Sequence, residues 1–242
     1  MLSIIIIAYN EEKYIPLLLS SLSRQTSKNF EVIISDSNST DKTEEVSRLF
    51  ENKFKFFTYL KLSQTKGPAY GRNMGEKAAR FERLLFLDSD TVLENDFIEK
   101  AIREIKRKKI DIATCPIKIS ENNFFSDAGA YLLNFFMLLL RPLYPTAFGA
   151  CFFSTKTVHK KIGGFNENLG ICEDCHYVKK ALKFKKYKFK TLNLFFHTSD
   201  RRAEKEGAFK LTLKYIKAHL YRIFTGREIL KEKIDYKYGG FR

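Results

Sequence analysis

The stretch LSIIIIAYNEEKYIPLLLSSLSRQTSKNFEVIISDSNST, residues 2–40, decides how the rest of the chain is read. Leu2–Ala8 is an unbroken apolar, β-rich run. Residues 11–24 follow with Ile15, Leu18, Leu19 and Leu22 at helical spacing, and residues 30–35 are apolar again. A strand without polar alternation is buried on both faces, as in parallel sheets covered by helices. The stretch therefore reads as strand, helix, parallel strand. The alternation continues outward with helix 42–51, strand 54–62, helix 69–81, strand 84–87, helix 96–108 and strand 110–115. The expected fold class is α/β, with a mostly parallel central sheet flanked by helices. In such sheets ligands bind beyond the carboxyl ends of the strands, near a reversal of strand order.

The composition is that of a globular chain. Its 242 residues are 44% hydrophobic, with 23 Phe and 12 Tyr, which excludes a disordered protein. Forty-three basic residues against 28 acidic ones give a net charge of +15, which favours anionic partners. The basic residues are scattered and no nucleic-acid motif accompanies them, so no nucleic-acid partner is expected. Residues 2–8 lack a basic leader and run straight into YNEEKY, and four cysteines suit a reducing, cytoplasmic setting. Two segments suggest contact with a membrane surface. Residues 128–140, AGAYLLNFFMLLL, are strongly apolar but too short to span a bilayer. Residues 208–224 carry Phe209, Leu213, Ile216, Leu220 and Ile223 along one helical stripe, with lysines mostly off it. A buried helix explains the first equally well, and a helix like the second more often packs its apolar side on its own domain.

The polar clusters after the strands carry the chemistry. In FLDSDTV the strand delivers Asp88 and Asp90 two positions apart, so both carboxylates leave on one face. Such a pair suits a hard divalent ion, Mg²⁺ or Mn²⁺, completed by phosphate and water, or else caps a turn. In SDSNSTDKT, Asp36 precedes the helix cap, where its carboxylate can accept from the edge of a base. In AYNEE, Asn10 is a candidate N-cap. GPAYGRNMG has neither the dinucleotide glycines nor the P-loop lysine, but Arg72 near a helix start can meet a phosphate. GICEDCHYV brackets Glu173 and Asp174 with Cys172 and Cys175. A thiol site there lacks a fourth ligand from a second C-x-x-C or H-x₃-H, which leaves the cysteines as expected bystanders. Further on, His197 at a strand end is a third metal ligand, a phosphate contact or a packed residue, and Arg201 and Arg202 can clamp a diphosphate.

Taken together, SIIIIAYNEE, VIISDSNSTDKT, GPAYGRNMG, LLFLDSDT and KKIGGFNENLGICEDCHYVKKAL resemble the glycosyltransferase family 2 nucleotide-sugar transferases of the GT-A fold, over residues 2–200. The resemblance implies a GT-A domain over residues 1–205, its nucleotide-binding half at 1–115 and its acceptor-binding half at 116–205. Residues 206–242 would form a basic helical extension. It also implies that Ala8, Tyr9 and Glu11 flank the nucleotide, Asp36 reads the base, and Arg72 holds the nucleotide part. Asp88 and Asp90 would hold the cation on the diphosphate. Asp174 would be the general base of an inverting transfer, with Glu173 orienting the acceptor. The expected donor is a UDP- or GDP-linked sugar and the acceptor a sugar or lipid-linked hydroxyl. The Q-x-x-R-W signature of processive synthases is missing, so transfer of one sugar is expected. The alternatives are a sugar nucleotidyltransferase and a non-enzymatic basic nucleic-acid-binding protein.

Overall fold

The computed structural model describes residues 1–119, 124–141, 144–199 and 201–233. The first half runs β1 (Leu2–Ala8), α1 (Ile15–Ser23), β2 (Phe30–Asp36), α2 (Thr43–Arg48), β3 (Phe57–Lys61), α3 (Pro68–Ala78) and β4 (Arg83–Asp88). There follow β5 (Thr91–Val92), α4 (Phe97–Lys108), β6 (Ile112–Thr114), β7 (Ile117–Ile119) and α5 (Phe124–Leu140). The last part holds β8 (Cys151–Thr155), α6 (Lys156–Ile162), α7 (Glu173–Leu182), β9 (Phe189–Thr191) and β10 (Phe196–Thr198). It closes with α8 (Arg201–Glu206) and α9 (Ala208–Thr225).

Seven strands form one sheet in the order β3-β2-β1-β4-β8-β6-β9. β1 pairs in parallel with β2 and β4, and β8 runs antiparallel to both β4 and β6. The expected α/β class and its mostly parallel sheet are observed. Every residue of β1 is buried. Ile4 and Ile6 face one cluster with Leu18, Leu22, Phe97 and Ile105, whereas Ile5 faces the other with Ala69, Phe86, Phe152 and Tyr177. Alternation along one apolar strand thus builds two cores, each buried Ile contributing about 1.5–3 kcal/mol. Strand order reverses beside β1, since β2 lies on one side and β4 on the other. The carboxyl ends of β1 and β4 therefore open the crevice at the switch.

Close approach of α3 sets what enters that crevice. A Cβ on Gly75 would stand 2.3 Å from Ile5 Cγ2, and one on Gly71 3.1 Å from Ile7 Cγ2. The two glycines let the helix backbone settle onto β1. Arg72, between them, is carried to the strand ends.

Several boundaries differ from the sequence reading. The helix expected from residue 11 begins at Ile15, because Asn10 adopts φ 51° and Pro16 opens the first turn. Asn10 is not the N-cap. Its Oδ1 accepts from Thr40 N–H at 2.7 Å and its own N–H donates to Ser39 Oγ at 2.7 Å, which ties the loops after β1 and β2 together. The strand expected over 54–62 starts at Phe57, after a short 3₁₀ turn at Glu51–Lys53. Residues 188–196, which read in sequence as the one strand that ends at His197, are divided between β9, in the main sheet, and β10, which joins β5 and β7 in a three-stranded sheet.

The stripe on α9 is also reoriented. Phe209 and Leu213 are exposed, and the buried face is Thr212, Ala218, His219 and Arg222. Beside it on α5, Tyr131, Phe135, Leu138 and Leu139 are exposed too. Among the described residues no helix is long and apolar enough to cross a membrane.

Candidate active site

A cavity of about 280 Å³ opens at the strand switch and is lined by Tyr9, Glu11, Arg72, Asp88, Asp90, Glu173, Asp174 and Arg201. Glu11 comes from the loop after β1 and Arg201 from the start of α8; four further segments deliver the other charges. β4 ends in Asp88, the turn after it carries Asp90, α3 presents Arg72, and α7 begins with Glu173 and Asp174. Arg72 is buried, yet its guanidinium bridges two of them: Nη2 donates to Asp88 Oδ1 at 2.9 Å and Nη1 to Glu173 Oε1 at 2.6 Å. Burial disfavours the charge on Arg72, and the carboxylates of Asp88 and Glu173 outweigh that penalty. Underneath, the Phe165 ring lies 5.4 Å from the guanidinium carbon. Phe165 is fixed in turn by Asn73, whose Oδ1 accepts from Phe165 N–H at 2.9 Å and whose Nδ2 donates to Phe165 O at 3.0 Å.

A second arginine mirrors the first. Arg201 donates to both oxygens of Glu11 at 2.7 and 2.8 Å and forms an ion pair with Asp90 Oδ2 at 3.1 Å, while Ser199 Oγ donates to the same Asp90 oxygen at 2.9 Å. Asp88 and Asp90 thus stand at the mouth of one cavity, each held by a guanidinium.

Asp174 sits at the N-terminal turn of α7. Loss of water pushes its carboxyl up and the Glu173 charge adds to this, while Arg72 and the Cys175 N–H oppose; the outcome is a pKa of about 6. Gly149 leaves the room it needs, since a Cβ there would lie 3.0 Å from Arg72 Nη2 and 3.2 Å from Asp174 Oδ2.

Not every expected residue gathers here. Asp36 is fully buried at the end of β2, in register with Ala8. Its carboxylate accepts the Ser39 N–H and hydroxyl, so it fixes the turn over residues 36–39 and stands behind the cavity wall. Phe196 and Thr198 line the cavity, so alternation along β10 turns His197 to the other face, where Nε2 lies 3.9 Å from Glu94 Oε1. His197 is not grouped with the aspartate pair as a third metal donor. The side chain of Arg202 lies outside the described residues.

Residues 3–163 match the family described as Glycosyl transferase family 2, about two thirds of the chain. The chain belongs to this family. An uncharacterized glycosyltransferase of Haemophilus influenzae is 37% identical over 108 residues, which is 44% of this chain and 35% of that protein. The poly(ribitol-phosphate) beta-N-acetylglucosaminyltransferase TarS of Staphylococcus aureus is 35% identical over 122 residues, 48% of this chain and 21% of that one. The chain thus spans about a third or less of the length of these two curated relatives. In solved structures, TarS 1–349 in complex with UDP-GlcNAc superposes with a TM-score of 0.67 at 25% identity, over 82% of this chain and 58% of that chain. A mannosyltransferase of Pyrobaculum calidifontis, solved with GDP-Man and Mn²⁺, has a TM-score of 0.73 at 20% identity, over 93% of this chain and 63% of that chain. The fold is GT-A-like.

The family motifs pointed to Arg72, the aspartate pair and the two acids of α7, but not to the groups that hold them. Phe165 belongs to a Gly-Gly-Phe turn visible in sequence, yet its place under Arg72 depends on Asn73, ninety-two residues away. Gly149 interrupts an apolar run, a usual sign of close approach. The Glu11–Arg201 pair joins residues 190 apart and has no local signal.

Proposed function

We propose that this chain is a nucleotide-sugar-dependent glycosyltransferase that moves one sugar, with inversion, from a nucleotide-diphosphate donor to an acceptor hydroxyl. The observation that carries this reading is Asp174: a carboxyl with a pKa of about 6 at the cavity wall, across Arg72 from the acid that ends β4. A base poised there is ionised at neutral pH and still basic enough to take a proton from a hydroxyl. The attacking oxygen adds to the anomeric carbon on the face opposite the diphosphate, Asp174 accepts its proton, and the nucleoside diphosphate leaves. Glu173, pinned by Arg72, orients the acceptor.

The donor half would be residues 1–115, with Ala8, Tyr9 and Glu11 at the end of β1 flanking the nucleotide. Arg72 and Arg201 supply fixed positive charge for its phosphates. Asp88 and Asp90 are hard oxygen donors two residues apart at the cavity mouth, and they fit Mg²⁺ or Mn²⁺. That cation would neutralise charge on the leaving diphosphate. The UDP-GlcNAc complex of TarS favours UDP over GDP as the first donor to try. Residues 116–205 would form the acceptor side. The exposed apolar side chains of α5 and α9, with exposed Lys210 and Lys217 nearby, suit a peripheral site on the cytoplasmic membrane face and a lipid-linked acceptor.

The test is nucleotide release and product analysis with UDP- and GDP-sugars, Mg²⁺ or Mn²⁺ and simple glycoside acceptors. Transfer by the wild-type chain, abolished in Asp174→Asn with donor affinity retained, is the expected result. Undiminished turnover by Asp174→Asn would remove the base assignment. Pyrophosphate release from a nucleoside triphosphate and a sugar phosphate would replace the whole reading by nucleotidyl transfer.

A further inference from the structure

The two cysteines that bracket the catalytic acids are joined by a third donor from far along the chain. Cys172 holds the N-cap position of α7 in the left-handed conformation, φ 61° and ψ 32°. Cys175 lies one turn on, and His219 reaches them from α9. Cys172 Sγ is 3.5 Å from His219 Nδ1, and Cys175 Sγ is 3.8 Å from His219 Nε2. One ligand atom from each of the three lies within 4.8 Å of the others, and all three residues are buried. It is the one such cluster of three or more His, Cys, Asp or Glu donors among the described residues. In a tetrahedral thiolate–imidazole zinc site the ligand atoms are about 3.5–3.8 Å apart, as follows from metal–ligand bonds of about 2.0–2.3 Å. The two sulfurs approach different ring nitrogens, so binding one metal through a single nitrogen requires the imidazole to rotate and the donors, now within 4.8 Å of one another, to draw in.

Two neighbours could donate to these sulfurs once a metal had displaced their protons. Ala147 N–H donates to Cys175 Sγ at 3.3 Å. Arg222, one turn along α9 from His219, is fully buried; its Nε donates to Glu228 Oε2 at 2.7 Å, its guanidinium lies 4.7 Å from the Tyr144 ring, and Nη1 and Nη2 have no acceptor among the described residues. The sulfurs of Cys175 and Cys172 are close enough to act on its charge. A buried guanidinium with orphaned N–H groups is costly, and thiolate sulfur is the acceptor that would relieve it.

We propose that Cys172, Cys175 and His219 bind one Zn²⁺, clipping α9 to the turn that carries Glu173 and Asp174. Binding replaces two S–H bonds by two Zn–S bonds and adds one Zn–N bond. Two protons pass to water, the net charge of the site is unchanged, and no oxidant is involved. Cys172 and His219 line the cavity, so water from it would complete the four ligands. The clip holds the acids lying between its two sulfur ligands and fixes α9 as a cavity wall. It is distinct in chemistry from the oxygen donors Asp88 and Asp90, and it stands whether or not the chain transfers sugar.

The test uses the full chain, reduced and dialysed against Mg²⁺. Titration with Co²⁺ alone should give an intense thiolate-to-cobalt charge-transfer band in the near ultraviolet, saturating at one equivalent and displaced by Zn²⁺. Cobalt held by carboxylates gives only weak visible bands. Zn²⁺ should also slow alkylation of the thiols by iodoacetamide in the wild-type chain. His219→Gln and Cys172→Ser should each weaken Co²⁺ binding by at least ~10-fold. Absence of the charge-transfer band in the folded wild-type chain overturns the site, whatever the variants do. A band unchanged in both variants overturns it as well.

Discussion

Arg72 and Glu173 meet through a 2.6 Å hydrogen bond that joins the sheet half of the molecule to the helix bearing the second acid, Asp174. The pair is one arm of a bridge, because Nη2 of the same guanidinium holds Asp88 at the end of β4. Residues 101 positions apart are thereby fixed across the cavity where donor and acceptor would meet.

Replacing Arg72 tests the bridge. Arg72→Met leaves the acids Asp88 and Glu173 without their shared cation, and breaking a buried pair of this kind costs about 3–5 kcal/mol. Denaturant unfolding should show that loss. Arg72→Lys keeps the charge but cannot make both contacts with one planar fork. It should retain most of the stability and lose at least ~10-fold in kcat/KM. Equal activity of Lys and Arg at this position would show that the two-armed geometry is idle.

Asp174 makes two pH-dependent predictions with opposite signs. Its carboxyl titrates at about 6 in the folded chain, against a usual value of 3.8. As the base, it should make kcat/KM fall about tenfold per pH unit below 6 and level off above it. For stability, the folded chain holds the proton more tightly than the unfolded one. The contribution favouring the fold is present below pH 3.8 and is lost as pH rises through about 6. Asp174→Asn removes that loss, so at pH 8 the inactive variant should melt above the wild-type chain. Thermal melts at pH 4, 6 and 8 would show the gap opening with pH. A gap that stays constant would mean the carboxyl is not held protonated by the fold.

The strand alternation and the strand-end acids were legible because they rest on local pattern: apolar runs in β1, β2 and β4, and motifs within a few residues of a strand end. What escaped depended on distance along the chain. Nothing near residue 11 signals Arg201, and nothing near the C-x-x-C signals His219. Asn10 as a cap fails for a related reason, and the three readings of His197 turn on the same point. A cap or ligand assignment by position ignores which face the backbone turns outward, and φ 51° at Asn10 and the alternation of β10 decided those faces. The α9 stripe was read correctly as a stripe. Its burial was not readable, because the buried side is chosen by distant partners: Gly129 on α5 for Thr212, the two cysteines of the α7 turn for His219, and Glu228 for Arg222.

Gly75 probes how tightly the site is set by packing. Ala at this position would push its methyl into Ile5 Cγ2, 2.3 Å away in the middle of β1. Relief requires α3 to lift, which carries Arg72 with it. Gly75→Ala should cost about 1–3 kcal/mol in unfolding free energy and also lower turnover. A stable variant with full activity would show that α3 has slack that this contact denies.

Asp90 separates charge neutralisation by a cation from that by arginine. Its Oδ2 already forms an ion pair with Arg201 and accepts from Ser199, so Asp90→Asn keeps a hydrogen-bonding oxygen while removing the charge. If the aspartate pair holds Mg²⁺ or Mn²⁺, the variant should need at least ~10-fold more metal for half-maximal turnover. Chelation should silence the wild-type chain, and added Mn²⁺ should restore it. Turnover that ignores both chelator and the Asp90 substitution would assign the diphosphate to Arg72 and Arg201 alone.

The outward faces of α5 and α9 yield the last prediction. Phe135, 63% exposed, and Phe224, 82% exposed, mark an apolar surface on two packed helices, with Lys210 and Lys217 also facing solvent. Scattered single apolar residues are ordinary, but a contiguous set on neighbouring helices marks a contact surface. The net charge of +15 selects an anionic one. Sedimentation with vesicles containing phosphatidylglycerol should carry the chain down, and neutral phosphatidylcholine vesicles should bind it far less. Salt weakens the electrostatic share, while Phe135→Ser with Phe224→Ser weakens the apolar share and should leave the unfolding free energy within about 0.5 kcal/mol. Partition that responds to salt but not to the double substitution would make this a charge-only contact, and the apolar helical face would then need another partner.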